Sequence, residues 1–157
     1  MSITWNKNRP AGKITPTFQY KLADDPSLTV VGLLVEYPPD GSTPPHRHGT
    51  ASVIGHVLEG EALSAMNDGE AIVYKQHQTW YEAPGCHHRI SDNNSKTERA
   101  VILATFVIKT EILEREGPSV LVQIDPEYRM ETLEQGAGQV AQSVVDSVKE
   151  YLPGAES

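Results

Sequence analysis

Two histidines one residue apart give this sequence its clearest chemical signal. His46 and His48 follow a turn rich in proline and glycine and lie within residues 44–58. Side chains alternate between the two faces of an extended chain, so both imidazoles project from the same face of one strand. Two neutral imidazoles held side by side form a chelate that suits Zn, Cu, Fe or Ni. The spacing therefore predicts a divalent metal site.

A third ligand must come from elsewhere in the chain, because two imidazoles alone hold an ion poorly. All six histidines lie between positions 46 and 88. His88 is the best candidate, since it follows the Pro84-Gly85 turn at the start of a predicted strand. An antiparallel barrel can bring that strand opposite the first pair. The expected ligands are thus His46, His48 and His88.

The remaining histidines are expected to have roles other than metal binding. His56 is at an odd offset from the first pair and faces away from it on a regular strand, where packing or a dimer contact is expected. His87 alternates to the face opposite His88 and is expected to be structural. His77 lies in a predicted turn and is expected to be exposed. His77, Cys86 and Glu82 stay alternatives for completing the metal site.

Trp80 and Glu82 share one face of the predicted strand 79–82, which leads to His88. If that face is interior, Trp80 walls a substrate pocket and Glu82 is the nearby carboxylate that acts as general base. Otherwise Glu82 is solvated and Trp80 packs beneath the turn. Tyr74 and Tyr81 are expected in the core or at the rim.

Short strands have to position these side chains. Up to residue 125, apolar runs alternate with turn signals, which indicates an all-β antiparallel sandwich or barrel. The runs lie at 14–22, 28–37, 52–58, 62–66, 71–74, 79–82, 87–91, 99–110 and 119–124. Residues 1–13 are expected to form a polar arm and residues 14–125 the barrel.

Residues 126–157 follow a different pattern. Between about 139 and 152 the apolar residues recur at spacings of three and four, which predicts an amphipathic helix. These residues are Val140, Val144, Val145, Val148, Tyr151 and Leu152. The helix is expected to cover one sheet or to take part in a dimer.

Length and charge limit the class of partner. The 157 residues predict a single domain. A net charge of −8 argues against nucleic acid or an anionic membrane surface, because phosphate binding needs clustered Lys and Arg. The N-terminal residues contain no apolar run of the kind found in signal peptides or membrane spans. The single cysteine is compatible with a reducing compartment, so the expected location is the cytoplasm.

The two histidine stretches resemble the two motifs of a small single-domain cupin. The first motif has a glycine, His-x-His and a closing glycine, which here are Gly41, His46-Arg47-His48 and Gly60. The second is built around Pro-x-Gly-x-x-His and corresponds to residues 83–88, with its histidine at His88. With the strands around them, the motifs cover residues 28–110. The resemblance is to the RmlC-like cupin superfamily, in particular the quercetin-dioxygenase-like type.

This resemblance implies a double-stranded β-helix (jelly-roll) barrel, a divalent metal at its mouth and often a homodimer. The sequence departs from the pattern at one chemically important place. The glutamate of the first motif should fall at Val53, next to Ser52, and neither residue carries a carboxylate. The expected metal shell therefore changes from three histidines plus glutamate to three histidines. Val53, Ser52 and Trp80 are expected around the substrate pocket.

Three neutral imidazoles leave an ion its full charge and open positions for water or substrate, as in catalytic rather than structural sites. Such an ion polarises a bound oxygen and lowers the pKa of bound water. The predicted function is a metal-dependent enzyme, using Fe²⁺, Zn²⁺, Ni²⁺ or Mn²⁺, that acts on a small oxygen-rich metabolite. The reaction is O₂ insertion, as in a dioxygenase, or a redox-neutral isomerisation, dehydration or ring opening, as in an isomerase or lyase. The alternatives are a binding or sensing cupin without turnover, and a metal-free barrel that serves dimeric assembly.

Overall fold

The computed structural model describes residues 3–129 and contains one short α-helix and many β-strands in that range. In chain order the elements are β1 (Lys13–Lys21), β2 (Leu28–Tyr37), β3 (Ser42–Thr43), β4 (His46–Arg47), β5 (Ser52–Glu59), β6 (Glu61–Met66), β7 (Ile72–Lys75), β8 (Thr79–Glu82), β9 (His87–Asn93), β10 (Ala100–Lys109), α1 (Thr110–Glu116) and β11 (Gln123–Ile124). The helix predicted at about 139–152 lies outside the described residues. Among the residues that are described, no helix has the length and apolar character needed to cross a membrane.

The strands form two sheets, and the predicted all-β antiparallel jelly-roll fold is confirmed. One sheet has the strand order β1-β2-β10-β5-β8. The other has the order β11-β4-β9-β6-β7, with β3 paired to β9. Some neighbouring strands come from distant parts of the chain, such as β2 and β10, which pair along their whole length, and β4 and β9. This arrangement brings the two predicted motifs, which are far apart in sequence, onto adjacent strands.

The core lies between the sheets, because alternate residues of each strand point inward. Leu33 on β2, Val53 on β5 and Phe106 on β10 are each only 1% exposed. Burial of a side chain of this kind stabilises the fold by about 1.5–3 kcal/mol. These residues give the neighbouring short strands β4 and β8 a rigid floor.

The chain after β10 differs from the single strand predicted for 119–124. Pro118–Leu121 form a 3-10 turn, and only Gln123–Ile124 pair with β4. Gly117 has a positive φ of 77° and precedes a proline that lacks an N–H for pairing. Val120 and Leu121 are nonetheless buried in the core. The apolar run therefore reflects burial and not strand pairing, and helix α1 was not anticipated from the sequence.

The arm that precedes β1 is anchored by Arg9. Its Nη1 donates a hydrogen bond of 2.5 Å to Asp92 Oδ2, and its Nη2 donates one of 2.9 Å to the carbonyl of Asn93. Asp92 is 2% exposed. Burial raises the pKa of Asp92 to about 6, although the charge of Arg9 acts in the opposite direction. Asp92 is therefore a buried carboxyl group that retains a proton unusually well.

We expect the Asp92 carboxyl group to lower the free energy of unfolding as the pH rises from about 4 to about 6. The folded pKa of Asp92 lies above its ordinary value of 3.8, so the folded chain holds this proton at a pH where the unfolded chain has lost it. The stabilisation is complete below the unfolded pKa and is lost as the pH rises through the folded one. A difference of about two in pKa corresponds to ~3 kcal/mol. Urea unfolding of the wild type and of Asp92→Asn across this range checks the expectation, and an unchanged pH slope in the variant contradicts it.

Candidate metal centre

Short elements bring the three predicted ligands together. Strand β4 pairs with β9 in a register that places His46 directly opposite His88. The ring centroids of His46 and His48 are 4.7 Å apart, and those of His46 and His88 are 5.0 Å apart. One nitrogen of each ring lies within 4.8 Å of the others, and all three residues are buried. The described chain thus contains a three-histidine cluster that could hold a metal ion.

Backbone carbonyls orient two of the rings. His46 Nδ1 lies 2.6 Å from the carbonyl oxygen of Pro44, and His48 Nδ1 lies 2.5 Å from that of Leu121. A carbonyl oxygen only accepts hydrogen bonds, so each Nδ1 carries the proton and each Nε2 presents a lone pair. Partners of this kind fix the tautomer and the orientation of metal-binding histidines. Both rings are therefore prepared to bind a cation through Nε2.

Burial keeps His46 and His88 uncharged. Loss of water around the rings, together with the neighbouring histidines, lowers the pKa of His46 well below its ordinary value. The same loss of water lowers the pKa of His88 to about 4, although the Glu82 carboxylate opposes this shift. At neutral pH these imidazoles are unprotonated, which is the form that binds metal ions.

Glu82 lies beside the cluster at the end of β8 and is 2% exposed. Its Oε1 accepts a 3.0 Å hydrogen bond from the indole N–H of Trp80 and lies 3.2 Å from His88 Nδ1. Its Oε2 lies 3.1 Å from His48 Nε2. Burial alone would raise the pKa of Glu82, but the positive charges that His88 and His48 carry when they are protonated, together with the hydrogen bond from Trp80, outweigh it and lower the pKa to about 2. The site therefore contains a buried carboxylate as well as three imidazoles.

A cavity of about 50 Å³ lies between the sheets and borders the cluster. Its polar wall includes Tyr37, whose hydroxyl is 2.6 Å from Thr43 Oγ1 and 2.9 Å from Ser91 Oγ. Burial raises the pKa of Tyr37 to about 12, so the phenol stays protonated. Apolar side chains complete the wall, namely Ile14, Leu33, Val35, Ile102, Ala104, Phe106 and Val122. The cavity can hold a small molecule between the imidazoles and the hydroxyls.

The predicted pocket residues lie in different places. Trp80 lines the cavity, whereas Val53 and Ser52 do not belong to the lining that the described residues form. Val53 packs in the core, and the Ser52 hydroxyl is 3.2 Å from that of the exposed Tyr81. Gly55 lines the cavity instead, because its lack of a side chain makes room for Trp80. A Cβ atom on Gly55 would lie 2.3 Å from the indole ring.

The other histidines and the cysteine lie apart from the cluster. The rings of His56 and His77 are 6.4 Å from each other, and His77 is exposed with a positive φ of 72°. His87 Nε2 is 2.7 Å from Asp125 Oδ2. Neither these histidines nor Cys86 or Glu82 belongs to the group of described residues whose donor atoms all lie within 4.8 Å of one another.

The sequence patterns did not predict two further contacts of the site. Ser64 Oγ is 2.9 Å from His88 Nε2, and the Phe106 ring packs edge-on against His48 at 5.1 Å between centroids. Ser64 carried a signal, because it shares the predicted strand 62–66 with apolar residues and a polar side chain on a buried face needs a partner. Gly55 carried another, since a glycine inside a strand often marks the close approach of a neighbouring group.

Comparisons with known proteins give one family match and many similar folds. Residues 33–106 match the family described as Cupin domain, and no curated protein matches the chain. A conserved protein from Klebsiella pneumoniae with a double-stranded β-helix domain has a TM-score of 0.53 and 15% identity, with 68% of this chain and 84% of that chain covered. An RmlC-like cupin family protein from Methanocaldococcus jannaschii has a TM-score of 0.52 and 13% identity, with 69% and 91% covered. Oxalate oxidase in complex with the substrate analogue glycolate has a TM-score of 0.50 and 20% identity, with 97% and 78% covered. At these identities the likeness is one of fold.

Proposed function

This chain contains a cupin domain, and on that premise we propose that it is a metal-dependent enzyme acting on a small oxygen-rich metabolite. The observation that carries the proposal is the cluster of His46, His48 and His88 in the wall of a buried cavity. Neutral nitrogen donors suit Fe²⁺, Zn²⁺, Ni²⁺ or Mn²⁺, and the cavity supplies an open position beside them.

The residues present fit a divalent cation. In His46 and His48, the contact of Nδ1 with a backbone carbonyl leaves a lone pair on Nε2. The buried Glu82 Oε2 has no hydrogen-bond donor, which leaves an unsatisfied carboxylate oxygen next to the cluster. When bound, the ion would polarise an oxygen of the substrate.

The chain's own residues would orient the substrate. The protonated Tyr37 hydroxyl, held by Thr43 and Ser91, is placed to donate a hydrogen bond to a second substrate oxygen. The apolar side chains around it exclude water and strengthen such polar contacts. The role of Glu82 as the group that moves a proton stays a prediction, with its carboxylate in the cavity wall.

The size of the cavity limits the substrate. An engineered cavity of about 150 Å³ encloses benzene, and the pocket in this chain measures about 50 Å³. We therefore propose a short aliphatic substrate with at least two oxygens, such as a hydroxy or keto acid, rather than a phenol. The same lack of space favours a redox-neutral isomerisation or dehydration over O₂ insertion, because O₂ would have to lie beside the substrate.

A reconstitution experiment tests this function. The protein is loaded separately with Fe²⁺, Zn²⁺, Ni²⁺ and Mn²⁺ and given short hydroxy and keto acids, with phenols as the matched oversized set. We expect product from the aliphatic set without O₂ uptake and no reaction of the phenols. O₂ consumption that depends on substrate would contradict the redox-neutral assignment. Binding without turnover would support the alternative, a non-catalytic ligand-binding cupin, and the predicted homodimer can be checked in the same samples by sedimentation.

A further inference from the structure

We propose that Glu82 is the fourth protein ligand of this centre, binding the ion through Oε2 from strand β8. The assignment rests on the proposed function, since it takes His46, His48 and His88 as the other ligands. It changes the expected shell from three histidines to three histidines and one carboxylate.

The strand register carries the first part of the argument. In the pairing of β5 with β8, Val53 is directly opposite Glu82. Residues directly opposite each other in an antiparallel pair lie on the same face with their Cβ atoms about 4.5–5.5 Å apart. Val53 is the position at which the first motif lacks its glutamate. A carboxylate on the facing strand can therefore reach nearly the same point in the barrel.

The contact between Glu82 and His48 carries the second part. His48 Nδ1 faces the Leu121 carbonyl, so its Nε2 presents a lone pair and not a proton. That lone pair lies 3.1 Å from Oε2 of Glu82, which is itself only an acceptor when ionised. Two acceptors in contact repel each other, and here both are buried. A cation bound to both atoms removes the repulsion.

The distance is the one that shared coordination produces. With metal–nitrogen and metal–oxygen bonds of about 2.1 Å, two ligand atoms lie about 3.0 Å apart at a right angle and about 3.4 Å apart at a tetrahedral angle. The observed 3.1 Å lies between these values.

The two carboxylate oxygens have separate environments. Oε1 accepts the hydrogen bond from Trp80, which holds the carboxylate in place. Oε2 is buried and has no hydrogen-bond donor. An unsatisfied buried polar atom is costly, so an orphaned oxygen 3.1 Å from His48 Nε2 marks the place of a missing partner. Ligation through Oε2 narrows the role predicted for Glu82, because the residue then acts through the charge of the ion and not as a free base.

An exchange of side chains across the strand pair tests the proposal. Co²⁺ and Zn²⁺ affinities are measured by calorimetry for the wild type, Glu82→Gln, Trp80→Phe and the double variant Val53→Glu/Glu82→Val. We expect Glu82→Gln to weaken binding by more than the roughly 10–100-fold typical of outer partners of a ligand, and Trp80→Phe to weaken it by less. The double variant should recover most of the lost affinity and the visible spectrum of the Co²⁺ form, because it returns the carboxylate to the first motif.

The outcomes separate this proposal from the proposed function. Absence of metal binding by the wild type overturns both. Wild-type binding that Glu82→Gln retains within about threefold overturns the assignment of Glu82 and leaves the three histidines in place. Thermal unfolding without metal shows whether each variant folds. If the double variant does not fold, Glu82→Gln and its Trp80→Phe control decide the matter alone.

Discussion

Replacement of His88 by alanine is expected to weaken metal binding about 100- to 1,000-fold. Structural Zn²⁺ sites with four ligands bind with about 10–16 kcal/mol, so the loss of one ligand removes ~3–4 kcal/mol, and each 1.4 kcal/mol is a factor of ten in affinity. His88 is 3% exposed and lies directly opposite His46 in the sheet, so the strand pairing fixes the position of its ring in the cluster. His46→Ala should show the same loss.

His87→Ala is the matched control for this experiment. His87 is adjacent in sequence but contacts Asp125 instead of the cluster, so its loss should leave metal affinity nearly unchanged. Metal content after purification without added metal, followed by calorimetric titration, gives the comparison. Metal content at the wild-type level in both His46→Ala and His88→Ala would show that the cluster is not the binding site.

Replacement of Gly55 by valine is expected to lower the free energy of unfolding by ~2.5–6 kcal/mol. A side chain at this position meets the indole of Trp80, which already lies 2.3 Å from where a Cβ would be. Overpacking of this kind costs about 1–3 kcal/mol. Displacement of Trp80 also removes its hydrogen bond to Glu82, and a bond to a charged group contributes about 1.5–3 kcal/mol.

Denaturant unfolding and tryptophan fluorescence measure this effect. The chain has two tryptophans, Trp5 and Trp80, so Trp5→Phe provides a background in which the emission reports Trp80 alone. Ile54→Val is the control, because Ile54 is on the same strand and is 45% exposed. Unchanged stability and an unchanged emission maximum in Gly55→Val would mean that Trp80 does not occupy the cavity wall.

Local patterns predicted much of the fold and part of the candidate site. The bounds predicted for β2, 28–37, agree with the structure, because a continuous apolar run ends at the strong turn signal of Pro38-Pro39. The one-residue spacing of His46 and His48 places both side chains on the same face of a strand, which is also a local property of the sequence. His88 could be proposed because it begins a strand that an antiparallel barrel folds back.

Other features depend on how distant strands pack and have no local signal. The contact between Glu82 and His48 requires the register of β5 with β8, which the strand patterns alone do not determine. The size of the cavity depends on side chains from both sheets. The stretch 118–121 shows the limit of pattern reasoning, because burial of Val120 and Leu121 gives an apolar run without any strand.

The segment that follows α1 is connected both to strand β4 and to the ring of His48. Leu121 supplies the acceptor for Nδ1, β11 pairs with β4, and the Asp125 N–H bonds to the carbonyl of Pro45. The segment cannot detach from the barrel without releasing that ring to rotate. If the cluster holds an ion as proposed, its rate of exchange would depend on local unfolding of these few residues, and a force applied at Asp125 would reach the His48 ring through Leu121.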